Sequence, residues 1–334
     1  MQFDFITLGS ATRDILYHIK GGVVLPKFKK NGGRDSLAFT LGSKFEVDKA
    51  YFNYGGGANN TAVSLARLGF FAAPIIALGD DDFGKDIIHH LQNEKISTDL
   101  VQIIKKQSTG QSAIIVSEQD KRYVLFAYRA ANSKLNFSAE KYKNLKTKWL
   151  YLNSLNITGW QKIVGDIIKY KHKNPKTKIY WNPGKWQIQT KREEIIKLLK
   201  LAEVLQINKE EAISLIKNPK TDINSIIEDI YKLGPKLVVI TDGIRGVCCY
   251  DGKKLYQQDA SNDKPVDTTG AGDSFGSAFA GGLVLFNNDI QKALKAGVAN
   301  SGSVVSRFGA QNGLLNKISL LKNSNYSGII KARR

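Results

Sequence analysis

Asp267-Thr268-Thr269-Gly270-Ala271-Gly272-Asp273-Ser274-Phe275 (DTTGAGDSF) decides the fold, and it runs directly into residues 276–286, which are apolar with helical spacing. Small residues allow backbone N–H groups to approach a ligand closely, and the start of a helix attracts anions. A carboxylate at such a helix start repels phosphate, but it can accept the proton of a hydroxyl group that attacks phosphate. This combination indicates a kinase for small molecules that carry hydroxyl groups.

Length and composition favour one large α/β domain or two medium ones, because 334 residues with 42% hydrophobic side chains can bury a substantial core. No stretch of about 18 uncharged apolar residues occurs, so we expect no membrane span. Residues 1–6 pass directly into a strand-like run, without the basic and apolar segments of a signal peptide. The two cysteines, Cys248 and Cys249, are adjacent and would rarely bridge each other, so we expect a reducing, cytoplasmic location.

The formal net charge of +19 allows two interpretations. A nucleic-acid-binding protein would carry such a charge, and a salt-dependent gel shift would reveal it. We favour a solvated lysine-rich surface, because the lysines are spread along the whole chain and many fall on helix faces, as in residues 169–178. The positive field would still favour anionic substrates such as ATP, and we expect neither nucleic acid nor a membrane as a partner.

The order of the predicted elements indicates the fold class α/β, with a doubly wound, mostly parallel sheet flanked by helices. From residue 149 onward, short buried strands alternate with helices, and two long helices over 272–286 and 290–308 complete the pattern. We find no internal repeat and no long linker. A single domain over residues 1–334 is therefore expected.

Two segments predict β-structure outside that alternation. Residues 21–54 are rich in Gly, Lys and Phe and contain stretches of alternating polarity, which indicates short strands and loops instead of core. Residues 109–116 and 122–128 alternate around a polar turn at 118–121 and predict a β-hairpin.

Three further sets of residues could bind a ligand or simply shape the chain. Gly55-Gly56-Gly57 precedes a helix that contains Asn60, which suits either a tight turn or a close approach to a polar ligand. Asp14 could accept hydrogen bonds from sugar hydroxyls or could cap a turn. Asn208 and Glu211 have the spacing of a capping box, and they could equally lie near Mg²⁺ and its waters.

Taken together, these motifs resemble those of the ribokinase-like carbohydrate kinases, also called the phosphofructokinase B family. The resemblance rests on Gly55-Gly56-Gly57-Ala58-Asn59-Asn60 with the helix ending in Ala66-Arg67-Leu68-Gly69, on Asn208-x-x-Glu211, and on Asp267 to Asp273, with supporting matches at Thr241-Asp242-Gly243, Gly246 and Gly309-Ala310. It covers nearly the whole chain, and the motif around Asp273 is its most specific part.

The resemblance implies a role for each matching position. Asp273 would be the catalytic base, and Gly270, Ala271 and Gly272 would form the anion hole. The other implied positions are Asp14, Gly55, Gly56 and Asn60 for substrate binding; Asn208, Thr241, Gly243 and Gly246 for ATP binding; Glu211 for Mg²⁺ through water; and Asp267 with Gly309 for a K⁺-binding loop. Residues 15–54, with part of the 109–128 hairpin, would form a β-structured lid that covers the substrate and in many members of the family pairs two subunits. A homodimer through this lid is therefore a further expectation.

The implied reaction is ATP-dependent phosphoryl transfer to a hydroxyl of a ribose- or fructose-like sugar, with Mg²⁺ and, in some members of the family, K⁺. A nucleoside kinase on the same fold is the alternative, because aromatic side chains of the lid could stack on a base; the same side chains could simply pack the lid. These aromatic residues are Phe39, Phe45, Tyr51 and Phe52. An inactive sugar-binding regulator is an alternative from another class, and the intact Asp273 argues against it. A phosphosugar acceptor is a further alternative, although no Arg/Lys cluster can be assigned to its phosphate.

Overall fold

The computed structural model describes residues 2–28, 34–117, 123–190, 192–216 and 222–323. The strands are β1 (Phe3–Leu8), β2 (Thr12–Ile19), β3 (Val23–Phe28), β4 (Arg34–Ala38), β5 (Val47–Gly55), β6 (Ala72–Ile75), β7 (Ala77–Gly79), β8 (Gln102–Ile104), β9 (Gln111–Ser117), β10 (Tyr123–Tyr128), β11 (Thr147–Leu152), β12 (Lys178–Trp181), β13 (Val204–Asn208), β14 (Leu237–Thr241), β15 (Val247–Tyr250) and β16 (Leu255–Gln258). The helices are α1 (Gly57–Arg67), α2 (Asp82–Asn93), α3 (Trp160–Lys173), α4 (Lys185–Thr190), α5 (Arg192–Leu199), α6 (Lys209–Ile216), α7 (Ile223–Tyr231), α8 (Ala271–Leu285), α9 (Ile290–Val305) and α10 (Lys317–Asn323). Short 3₁₀ helices cover Ala130–Lys134 and Gly243–Arg245.

The main sheet has eight strands in the order β16-β15-β14-β13-β12-β11-β1-β6. The six strands β6, β1, β11, β12, β13 and β14 pair in parallel, and β14, β15 and β16 pair antiparallel at one edge. In the register of β1, Phe5 lies opposite Ala72 of β6 and Trp149 of β11. The predicted α/β fold with a mostly parallel sheet is confirmed.

Both faces of the main sheet are covered, which explains why its strands are apolar almost throughout. On one face, Ile6 and Leu8 pack in a cluster with residues of α3, α5 and α7. On the other face, Phe5 packs with residues of α8 and α9. Successive residues of one strand point to opposite faces, so β1 contributes to both cores.

Small residues let α8 lie close to its neighbours and so place its first turn. A Cβ on Gly276 would come 2.1 Å from the Tyr151 hydroxyl oxygen, and a Cβ on Gly282 would come 2.9 Å from Cα of Ala293 in α9. Larger side chains at these positions would push α8 away from the sheet and from α9. The first turn of α8, which carries Asp273, therefore has a defined position above the strands.

A second, smaller sheet has the strand order β10-β9-β2-β5, and we refer to these four strands as the small sheet. The predicted 109–128 hairpin is confirmed as the antiparallel pair β9–β10, and its turn at 118–121 lies outside the described residues. The alternative that Asp14 caps a turn is wrong, because Asp14 lies inside β2 and faces Asn53 of β5 and Ser112 of β9. Strands β3 and β4 pair only with each other among the described strands.

The prediction missed α4 and α10 and extended the last long helix to residue 308, three residues beyond its end at Val305. Helix α4 is short, and a tertiary contact anchors it: the fully buried Gln187 accepts a hydrogen bond from the Leu155 N–H (2.8 Å). Within the described ranges, no helix is both long and apolar enough to cross a bilayer.

Candidate active site

Asp273 lies in the first turn of α8, half-buried and held by two amides. The side chain of Asn60 in α1 donates to Oδ2 (2.9 Å), and that of Asn153, just after β11, donates to Oδ1 (3.5 Å). Burial raises the pKa of Asp273, the two amide donors lower it, and the charge of Asp14 raises it further. The net pKa lies above the usual value of 3.8, which makes this carboxylate a better proton acceptor than an exposed one.

The predicted anion-binding turn is at the N-terminus of α8. Gly270 precedes the helix with φ 77°, and a Cβ there would come 2.5 Å from Cβ of Ala310, so the turn requires glycine. The Gly272 carbonyl accepts a hydrogen bond from Gln206 Nε2 (2.9 Å), which ties the turn to β13. The first N–H groups of a helix lack intrahelical acceptors. The Ala271 N–H nevertheless has a partner outside the helix, because it donates to the Thr268 carbonyl (3.2 Å).

Asp14 is buried, with 7% of its surface exposed, and its Oδ1 has no hydrogen-bond partner among the described residues. Burial raises its pKa, hydrogen bonds from Thr12 and Ser112 lower it, and the charge of Asp267 raises it. An unsatisfied buried carboxylate oxygen is costly and therefore ready to accept a hydrogen bond from a ligand.

Gly55 and Gly56 are glycines for steric reasons. A Cβ on Gly55 would lie 1.8 Å from Asp14 Oδ2, so glycine leaves room for that carboxylate. Gly56 has φ 90°, and a Cβ there would come 2.5 Å from Cα of Ala11. The Gly-rich segment is thus a tight turn that also allows Asp14 to occupy its position. Asn60 follows in α1 and reaches Asp273, whereas Asn59 donates to the Gly55 carbonyl (3.1 Å).

Asn208 and Glu211 form the reciprocal capping box that their spacing predicts. The Glu211 N–H donates to Asn208 Oδ1, and the Asn208 N–H donates to Glu211 Oε2, both at 2.9 Å. Burial raises the pKa of Glu211, against the lowering effect of the Asn208 N–H. In the described part of the chain, no group of three His, Cys, Asp or Glu side chains could hold a metal. This donor set suits Mg²⁺ only as an ion held mainly by water and nucleotide phosphates.

A cavity of about 280 Å³ extends from the predicted ATP-binding positions to the start of α8. Its lining includes Thr241, Gly243, Gly246, Thr268, Gly272, Ser301 and Gly302. Asn208 is not part of this lining. Asn300, one residue before Ser301, is fully buried and donates to the Ser274 carbonyl (2.8 Å), so it belongs to the core.

Asp267 and Gly309 lie together, 42 residues apart in sequence. One carboxylate oxygen of Asp267 accepts from the Gly309 N–H and the other from the Thr269 N–H, both at 2.9 Å. Gly309 has φ 87°, and a Cβ there would come 2.6 Å from the side chain of Asn53 in the small sheet. Asp267 therefore links the turn before α8 to the loop after α9.

Sequence reasoning missed three polar residues at this site: Asn153, Asn53 and Gln311. Asn153 follows a parallel strand, and its position at the carboxyl end of β11 was a usable signal. Its Oδ1 is buried without a partner among the described residues. Asn53 is the cross-strand neighbour of Asp14, and its Oδ1 accepts from Asn312 Nδ2 (3.1 Å). No local pattern identifies Gln311.

The Asp273 carboxylate at the start of α8 thus lies beside a cavity, next to the carboxyl ends of the parallel strands of an α/β fold. The family model described as pfkB family carbohydrate kinase matches residues 34–317. The chain belongs to the pfkB family of carbohydrate kinases.

Individual proteins agree with this assignment. The ribokinase of Lactococcus lactis is 28% identical over 263 residues, which cover 78% of this chain and 82% of that protein. The structure of Arabidopsis thaliana ribokinase complexed with ribose and ATP superposes with a TM-score of 0.79 at 23% identity, over 98% of this chain and 100% of the other. A Burkholderia thailandensis nucleoside kinase in complex with inosine superposes with a TM-score of 0.76 at 17% identity, over 96% and 97% of the two chains.

Proposed function

We propose that this kinase transfers the γ-phosphoryl group of ATP to a hydroxyl of a ribose- or fructose-like sugar, with Asp273 as the catalytic base. The observation that carries the proposal is the position of Asp273. It lies at the start of α8, next to the cavity that Gly272 lines, and close enough to Asp14 for the charge of Asp14 to raise the pKa of Asp273. A nucleotide in the cavity and an acceptor on Asp14 would meet at Asp273.

The chemistry then follows from the groups on the chain. Asp14 accepts hydrogen bonds from the sugar and orients it, and Asp273 accepts the proton of the attacking hydroxyl. The start of α8, which includes the Gly272 N–H, directs N–H groups at the charge on the transferring phosphoryl group, whereas the Ala271 N–H is already bonded to the Thr268 carbonyl. Bound Mg²⁺ would neutralise charge on the phosphate oxygens, with Glu211 holding it through water.

A sugar suits the site better than a nucleoside does, because each aromatic side chain that might hold a base either already contacts another ring or faces away from Asp14. Phe39 and Phe45 contact each other edge to face at 5.2 Å. Tyr51 stacks on Phe308 at 4.9 Å. Phe52 lies on the face of the small sheet opposite to Asp14, because its cross-strand partner is Ile15.

A coupled ADP-release assay over sugars, nucleosides and phosphosugars tests the proposed acceptor class. We expect ribose or fructose to stimulate ADP release most. Faster turnover with adenosine or another nucleoside would establish the nucleoside-kinase alternative. Faster turnover with a sugar phosphate would show that the acceptor is a phosphosugar and not a free sugar.

We expect activity to require Mg²⁺ and to be higher in K⁺ than in Na⁺. Asp267 and Gly309 connect the loop after α9 to the turn that carries Gly270. A cation bound at this connection would hold the turn in place before ATP arrives. Initial rates in KCl, NaCl and tetramethylammonium chloride at equal ionic strength provide the comparison, and equal rates in all three would rule out the cation site.

We also propose that the small sheet acts as a lid and joins two subunits. On the face opposite to Asp14, Phe52, Ile15, Ala113 and Phe126 form one row across the four strands. Phe52 and Phe126 are 59% and 58% exposed, and such a row is stabilised when a second apolar surface covers it.

Phe52→Lys should therefore convert a dimer into a monomer in light scattering, because a charge replaces the exposed aromatic ring. Ile318→Lys in α10 is the matched control, since Ile318 is also exposed (67%) and lies outside the small sheet. A wild-type protein that is monomeric at every concentration would eliminate the dimer.

A further inference from the structure

The amide that holds Asp273 is itself held by a second buried amide and by an imidazole. Asn60 donates to Asp273 Oδ2, and Gln311 Nε2 donates to Asn60 Oδ1, both at 2.9 Å. Gln311 Oε1 lies 2.8 Å from His90 Nε2. Asn60 and Gln311 are 4% and 5% exposed, so water has little access to either amide.

The chemistry of Asp273 sets the direction of every bond in this chain. An ionised carboxylate can only accept, so Asn60 must turn its NH₂ group toward Asp273 and its oxygen toward Gln311. Gln311 must then donate to that oxygen, which leaves its own oxygen facing His90. His90 must in turn carry a proton on Nε2, which it does both as the neutral Nε2–H tautomer and as the cation.

His90 and Gln311, at the end of this series of hydrogen bonds far from Asp273, are held by ring stacking and by an ion pair. The His90 ring stacks on Tyr54 of β5, with ring centroids 4.0 Å apart and planes at 9°. The Arg67 guanidinium donates to the Gln311 backbone carbonyl (2.8 Å) and pairs with Glu94, the residue that follows α2. Gln311 is thereby held at its backbone and at both ends of its side-chain amide.

The charged groups around His90 do not break this arrangement. Burial lowers its pKa, the hydrogen bond to Gln311 and the charge of Glu94 raise it, and the charges of Arg67 and Arg13 lower it. The guanidinium of Arg13 lies 4.7 Å from the centre of the Tyr54 ring. Because Nε2 donates in both protonation states, titration of His90 leaves the bond to Gln311 intact.

We propose that Gln311 and His90 are positioning residues that act on Asp273 through Asn60. This inference rests on the proposed function for its catalytic consequence, while the geometry of the chain does not depend on it. Without the hydrogen bonds from Gln311 and His90, the Asn60 amide is free to rotate, and Asp273 loses a donor that stabilises its ionised form. Its pKa then rises, and its carboxylate no longer has one orientation toward the acceptor.

Two substitutions of Gln311 separate this role from packing. Gln311→Met keeps the length of the side chain and removes both hydrogen bonds. Gln311→Glu keeps the shape but replaces the NH₂ group with an oxygen, so Asn60 must turn its NH₂ group toward Glu and its oxygen toward Asp273. The isosteric Gln311→Glu should therefore be more harmful than Gln311→Met, which is the reverse of what packing alone would give.

His90→Phe keeps a ring against Tyr54 and removes the hydrogen bond. His89→Phe is the matched control, because His89 is the adjacent residue of α2 and its side chain is exposed. If the hydrogen bonds position Asp273 as proposed, His90→Phe changes the titration of Asp273 and His89→Phe does not.

Two readouts are needed: the pH profile of kcat with its KM values, and the direct titration of Asp273 by carboxyl-carbon NMR, assigned with Asp273→Asn. In Gln311→Met we expect the pKa of Asp273 and the acidic limb of kcat to move up by about one pH unit, the value of one hydrogen bond to a charged group. In Gln311→Glu the pKa of Asp273 should rise further, and in His90→Phe it should rise by a smaller amount. In His89→Phe it should not change. The KM for ATP should not change.

An unchanged pKa of Asp273 in both Gln311→Met and His90→Phe would overturn the proposal. A lower melting temperature without a change in this pKa would overturn it as well. Equal shifts in the two Gln311 variants would overturn the argument from bond direction. The NMR titration does not need turnover, so a protein without kinase activity would refute the proposed function and still test the positioning chain.

Discussion

Asp273→Asn should lower kcat by about 10²- to 10⁴-fold, the usual contribution of general-base catalysis. Asparagine has the same shape, and its one carbonyl oxygen can still accept from Asn60. Its NH₂ group replaces the oxygen that faces Asn153, and the Asn153 amide can turn its partnerless Oδ1 toward it, so the site should keep its shape while losing the proton acceptor. The dissociation constant of ATP, measured by calorimetry, should hardly change. A variant that retains most of the wild-type kcat would remove Asp273 from the role of base.

The same role fixes the sign of the pH dependence of the wild-type enzyme. Only ionised Asp273 can accept a proton, and burial raises its pKa above the usual 3.8. Activity should therefore be lost as pH falls, and its midpoint should lie above that of an ordinary aspartate.

Asp14→Ala should weaken acceptor binding by about 1.5–3 kcal/mol, as expected for the loss of hydrogen bonds to a charged group. This energy corresponds to roughly a tenfold to 150-fold increase in the acceptor dissociation constant. The KM for ATP should stay constant, because Asp14 lies in the small sheet and outside the cavity that Gly243 and Gly272 line. Calorimetry with the preferred sugar measures the effect directly.

Gly55→Ala provides an independent check on the same carboxylate. The added methyl group would lie 1.8 Å from Asp14 Oδ2, so Asp14 must move although its chemistry is intact. Acceptor affinity should fall as in Asp14→Ala. Unchanged affinity in both variants would mean that Asp14 does not bind the acceptor.

The parts of the fold and site that could be predicted from the sequence are those encoded locally. The alternation of buried strands and helices predicts the main sheet, and the Asp267 to Asp273 segment predicts a glycine turn at the start of a helix. The Asn208 and Glu211 capping box is likewise a matter of spacing, and the structure confirms it. The functional roles of these residues stay predictions.

The remaining parts depend on contacts between distant segments. The bond from Asn153 to Asp273 spans 120 residues, and that from Gln311 to Asn60 spans 251. Gln311 belongs to no local pattern, Asn153 is marked only by its place after β11, and a lone Asn or Gln is usually a surface residue. The sequence leaves Asp14 as either a substrate contact or a turn cap, and only strand pairing shows that it lies inside β2 with Asn53 and Ser112 beside it.

The most direct test of the account is to follow the phosphoryl group itself. The wild-type protein would be incubated with Mg²⁺, K⁺ and ATP labelled in the γ-phosphoryl group, with ribose or fructose present or absent. We expect the label to appear on a sugar hydroxyl, with one ADP formed for each sugar phosphate, and Asp273→Asn to abolish most of this transfer. Label released only as inorganic phosphate, at the same rate with and without any acceptor, would contradict it.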